Sequence, residues 1–107
     1  MDQISLDEFK KVNIRIGKVI SAEKVEGSNK LLKLLVDFNH EKRQILAGIA
    51  KFYEPETLIG KLCPFVFNLE SKKMGELESQ GMILAVDDSG PVLLHPDKEV
   101  DPGSMIK

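Results

Sequence analysis

The sequence predicts an all-β domain, a five-stranded Greek-key barrel with short helices. Three observations carry this. Apolar and polar residues alternate with period two in several separate stretches, as in strands that bury one face. Clusters of Gly, Asn, Asp, Ser and Pro separate those stretches at turn-like intervals. The one interior helical signal, Pro55-Glu56-Thr57-Leu58-Ile59-Gly60, has proline near its start, an acid in its first turn and glycine after its end, and it falls between the third and fourth strands. A length of 107 residues fits a single domain and leaves no room for a second lobe.

Ser5-Leu6-Asp7-Glu8 is a capping-box signature for a short helix through Phe9 and Lys10, expected to plug one end of the domain. Val12, Ile14 and Ile16 then alternate with polar neighbours, and the apolar parity resumes at Ile20 and Ala22, which predicts one long strand bent at Gly17. Glu26-Gly27-Ser28-Asn29 is a turn. Leu32, Leu34, Val36 and Phe38 form the apolar row of a second strand, and Asn39-His40-Glu41-Lys42 connects it to a third at about Arg43 to Ala47. The fourth strand is Leu62 to Leu69, the stretch Glu70 to Gln80 is a polar loop, and the fifth strand is Met82 to Val86. This order matches an OB-fold, whose strand 2–3 face and loops after strands 1 and 4 bind oligonucleotides or oligosaccharides. The loops in question are Glu26–Asn29 and Glu70–Gln80.

The formal net charge of -2 speaks against a nucleic-acid binder only if charge is evenly spread. It is not: residues 1–53 hold ten Lys/Arg and seven acids, residues 54–107 five Lys and ten acids. Such asymmetry suits a polyanion on one face, or simply a solvated strand surface. Cys63 has no partner for a disulfide, and one Cys with two His makes no metal-ligand spacing, so no metal or cofactor is expected. No apolar run approaches the length of a membrane span, and no leader precedes the helix, so a cytoplasmic location without membrane association is expected.

No catalytic constellation is present: there is no Gly-rich phosphate loop and no nucleophile elbow, and Asp87-Asp88 reads as a turn opener. The positive signal is a series of ordered segments. Asp7-Glu8-Phe9-Lys10-Lys11-Val12-Asn13-Ile14-Arg15-Ile16-Gly17-Lys18-Val19, Lys30-Leu31-Leu32-Lys33-Leu34, Arg43-Gln44-Ile45, Gly48-Ile49-Ala50-Lys51-Phe52-Tyr53, Asn68-Leu69, Ser79-Gln80-Gly81-Met82, Pro96-Asp97 and Pro102-Gly103 together resemble the tRNA-binding domain family. That family includes small dimeric tRNA-binding proteins, the C-terminal appendage of methionyl-tRNA synthetases, the cytokine-like subunit of animal synthetase complexes and a bacterial secretion chaperone.

The resemblance implies one OB-fold domain over 1–107, with a core at about 12–87 and a C-terminal extension at about 88–107 that pairs two barrels into a homodimer. It also implies tRNA binding by shape and backbone, either free-standing or as a separate subunit assisting methionyl-tRNA synthetase. The family's motif residues map onto Lys30, Lys33, Arg43, Asn68, Lys73, Ser79, Gln80 and Met82. Lys and Arg neutralise phosphates, the amides and hydroxyl donate to phosphate or ribose oxygens, and Met82 packs on a base or sugar. Plainer roles stay open: Lys30 and Lys33 as solvated strand residues, Met82 as a barrel residue, Asn68 as the tie of a loop. Lys51 is read as part of the helical link. The alternative function is a dimeric export-type chaperone that binds unfolded peptides on an exposed apolar groove. In either case the dimer contact is expected from about Leu84 onward, through Val92-Leu93-Leu94, Met105 and Ile106.

Overall fold

The computed structural model describes all 107 residues. The capping box forms as read: Ser5 Oγ accepts from Glu8 N and the Glu8 side chain accepts from Ser5 N, starting the single turn α1 (Leu6–Phe9). The helix plugs nothing, however. None of its residues is buried, and Leu6 and Phe9 border an open cavity with Met105 and Ile106. In the core, Phe38 packs edge to face on Phe65 and Phe67 at 5.5 and 5.0 Å.

The first strand, β1 (Ile14–Lys24), is long enough to serve two neighbours. Its bend lies at Ile20 rather than Gly17. Pairing runs Val19 to Val36 and then Ser21 to Leu35, so Ile20 is the extra residue of a bulge. Gly17 answers a packing demand instead, since a Cβ there would collide with Val36 and lie 2.7 Å from Phe38 Cε1. In β2 (Leu32–Asp37) the alternation is obeyed: Leu32, Leu34 and Val36 are wholly buried while Leu35 faces outward. Asn39, at φ 81°, turns the chain into β3 (Lys42–Ala47). A 3-10 turn at Pro55–Leu58 carries it across to β4 (Leu62–Val66), which buries Cys63, Pro64, Phe65 and Val66 on both of its faces.

The segment read as a polar loop is a hairpin, β5 (Lys72–Met74) with β6 (Leu77–Ser79), reversed at Gly75 in the left-handed region. The fifth barrel strand, β7 (Met82–Ile83), is shorter than expected; Ala85 leaves it to start β8 (Ala85–Asp87), which pairs with β9 (Pro91–Leu93). The main sheet runs β3-β2-β1-β4-β7, a nearly closed antiparallel barrel of the OB type. Tyr53 pins the C-terminal hairpin: its hydroxyl donates to Pro91 O at 3.3 Å and accepts from Leu93 N at 3.2 Å. The chain then returns to its own first strand. Gly103 N donates to Ile16 O, Ile16 N donates to Ser104 O, and β10 (Met105–Ile106) pairs with Ile14 and Arg15 on the side of β1 that β2 occupies further along.

Candidate nucleic-acid interface

The outer face of β1, β2 and β3 is set by register. Glu23 lies opposite Lys33 and Ser21 opposite Leu35, and Leu35 in turn lies opposite Gln44. The β1–β2 loop ends this face at one side. Its shape comes from Gly27 at φ 83° and from Ser28, whose Oγ accepts from both Lys30 N and Leu31 N at 3.2 Å. The backbone of Lys30 is fixed by accepting from Ala50 N at 3.0 Å, which leaves its side chain in solvent.

The β5–β6 hairpin approaches from the other side. One cavity of about 350 Å³ is lined by Lys33, Glu23, Lys24, Val25, Glu26 and, from the hairpin, Leu77. A second, of about 240 Å³, joins Lys33 and Glu23 to Ser21, Leu35 and Gln44. Lys33 therefore stands where the strand 2–3 face, the β1–β2 loop and the hairpin meet. Lys73, exposed, projects from the hairpin directly across from Glu78.

Four of the eight residues picked out by sequence hydrogen-bond through their side chains to the protein's own backbone. Ser79 is 4% exposed; its hydroxyl accepts from Leu46 N at 3.0 Å and donates to Gly81 O at 2.9 Å, so it has no donor left for RNA. Gln80 Oε1 accepts from Gln44 N at 3.0 Å while Gln80 N donates to Gln44 O at 2.9 Å. Gly81 completes the seam by close approach, since a Cβ there would meet Val66 O at 2.9 Å. These contacts zip β3 to the entry of β7 with one backbone bond and two side-chain acceptors. Asn68 does the same at the other seam, accepting from Asn13 N at 2.8 Å and donating to Lys11 O at 2.6 Å.

Arg43 is the fourth. Its guanidinium lies 3.5 Å from the Phe67 ring centre, donates to Phe67 O and Gln80 O, and pairs with Glu41 at 2.9 Å. Arg15 approaches the same ring at 4.4 Å. The hydrogen bond from Arg43 holds the Glu41 carboxyl below its ordinary 4.5, with the charge of Arg15 adding to the effect. Sequence reading made Arg43 a phosphate neutraliser; within the protein its Nε meets a carboxylate and its Nη1 two carbonyls. Met82, by contrast, is exposed, with its backbone paired to Val66.

The residues left facing solvent are Lys30, Lys73 and Met82, with Lys33 half-buried and its ammonium 2.7 Å from Glu23 Oε1. Sequence reading missed Glu23, Leu35, Gln44 and Leu77. Leu35 and Gln44 sit at outward positions of legible strands, but their juxtaposition depends on register.

An OB-type barrel with lysines on its strand 2–3 face and on both flanking loops falls in a class whose members bind oligonucleotides or oligosaccharides there. Comparison with known proteins narrows the class. Residues 14–105 match the family model described as "Putative tRNA binding domain", and the chain belongs to that family. It is similar to methionine–tRNA ligase of Archaeoglobus fulgidus, at 50% identity over 98% of this chain, and of Thermotoga maritima, at 50% over 96%. In both cases it spans only 16% of the relative's length. Among solved structures it is similar to a MetRS related protein from Pyrococcus horikoshii, with TM-score 0.93, 42% identity and complete coverage of both chains. It is also similar to the chaperone CsaA of Bacillus anthracis, with TM-score 0.91 and 30% identity over 99% of this chain and 100% of that one.

Proposed function

We propose that this chain is a non-catalytic, cytoplasmic tRNA-binding module that holds tRNA by shape and backbone, free-standing or as a subunit assisting methionyl-tRNA synthetase. The observation that carries it is the meeting of Lys33, Lys24 at the start of the β1–β2 loop and Leu77 of the hairpin around one cavity, with exposed Lys30 and Lys73 on the same loop and hairpin. Lysines there neutralise phosphates, exposed Met82 supplies an apolar contact, and the arrangement reads a folded backbone rather than a base sequence. Exposed aromatic rings, on which single-strand binders stack bases, are not part of this face. Asn68, Arg43, Ser79 and Gln80 contribute by holding its frame. Filter binding of bulk tRNA at two salt concentrations tests the reading: binding that weakens as salt rises supports it, and no binding at low salt refutes it. Lys33→Glu is expected to weaken all tRNAs about equally.

The module is proposed to work as a homodimer through the residues after about Leu84 together with α1. Val86, Val92, Leu94, Met105 and Ile106 are exposed, as are Leu6, Phe9 and Val12. Met105 and Ile106 border two apolar cavities, one of about 440 Å³ with Ile16, Pro64 and Leu94, the other of about 280 Å³ with Leu6, Phe9 and Val12. The same apolar end favours a second reading, a peptide-binding chaperone. Suppression of aggregation of an unfolded client, without salt-sensitive tRNA binding, would select it.

A further inference from the structure

We infer that Glu23 is an internal competitor for the phosphate at Lys33, so that RNA binding at this position exchanges one anion for another. The inference rests on the tRNA-binding reading and deepens it. Glu23 and Lys33 are directly opposed across the β1–β2 ladder, and Lys33 Nζ lies 2.7 Å from Glu23 Oε1. The pair stands between the two cavities where loop, strands and hairpin meet, and both residues line both cavities. The lysine side chain is 35% exposed and the glutamate 63%, so the carboxylate can swing into water while the ammonium keeps its place.

Lys73 offers an internal contrast. It too lies across a ladder from a glutamate, Glu78, yet only two ion pairs form in the molecule, Lys33 with Glu23 and Arg43 with Glu41. Lys73 therefore presents an unneutralised charge, whereas Lys33 presents one already answered by a carboxylate. A phosphate that reaches Lys33 competes with Glu23 for its ammonium, and the carboxylate, once freed, takes up cations. Fewer cations are released overall, so the salt dependence is shallower than the lysines alone would give. The exchange also discriminates. A loosely held polyanion gains little at Lys33, while a folded RNA whose other phosphates are already fixed elsewhere on the protein delivers its phosphate there at high local concentration.

The test is filter binding of bulk tRNA to the full chain over a salt series. Glu23→Gln is expected to tighten binding on the order of fivefold at low salt, the upper range for an exposed ion pair, and to steepen the slope of log K against log salt by about one. With Lys33→Gln already present, Glu23→Gln should give less than about a twofold gain, and Glu78→Gln alone should give less than Glu23→Gln. Unchanged or weaker binding by Glu23→Gln overturns the inference. So does an equal gain with and without Lys33, which would mark a general charge effect. A wild-type chain that binds no tRNA at any salt fails the parent reading first, before any variant is compared.

Discussion

Two ends of this barrel are finished differently. Along the seam between β3 and the entry to β7, polar side chains supplement a backbone bond, and no buried side-chain nitrogen or oxygen in the molecule lacks a partner. At the end where β10 meets α1, β10 is paired to β1, but Leu6, Phe9, Val12, Leu94, Met105 and Ile106 are left facing water. The difference teaches that hydrogen-bond closure and apolar closure are separate achievements. The first is complete within one chain, and the second is what a partner would supply.

The contrast is most strongly tested at the apolar end. Met105→Asp combined with Ile106→Asp is expected to weaken self-association by more than about 30-fold, about 2 kcal/mol, at interface centres of this kind. Sedimentation equilibrium would measure it, and a monomer melt unchanged from that of the dilute wild type would locate the effect outside the barrel. Next comes the seam. Ser79→Ala strands the Leu46 N–H in a buried site and should cost about 1–3 kcal/mol in urea unfolding, with no change in self-association.

Smaller again is Arg43→Lys, which keeps the charge but gives up the planar stack on Phe67 and one of two carbonyl bonds; about 1 kcal/mol is expected from the same unfolding curves. The smallest effect is a pH dependence. Because the folded Glu41 carboxyl titrates below 4.5, the native state binds fewer protons there than the unfolded one. Its stabilisation is full above that value and is lost as pH falls through the lower folded value, and Glu41→Gln should flatten this acid limb.

How much of this was legible depends on range. The buried row of β2 is written locally as Leu32, Leu34 and Val36, and the capping box at Ser5 and Glu8 needs only four residues. The hairpin at 72–79 escaped because Lys72, Lys73, Glu76 and Glu78 hide its alternation, leaving Met74 and Leu77 as its few apolar marks. Ser79 and Gln80 stood out as polar residues at a strand entry, yet their partners Leu46 and Gln44 lie far away in sequence, so a barrel-closing role and an RNA-donor role look alike from sequence alone. The opposition of Glu23 and Lys33 was hidden for a related reason: the bulge at Ile20 shifts the register along β1, and nothing in the sequence places it.

The side-chain acceptors at the seam have a consequence for how molecules avoid one another. A strand such as β3, paired to β2 on one side, would otherwise offer the N–H groups of Gln44 and Leu46 to any extended chain that drifted by, the usual route to edge-to-edge aggregation. Gln80 Oε1 and Ser79 Oγ occupy both. A foreign strand would have to evict two ordered acceptors before forming its first rung. The seam thus guards against misplaced strand pairing as well as holding the barrel's shape.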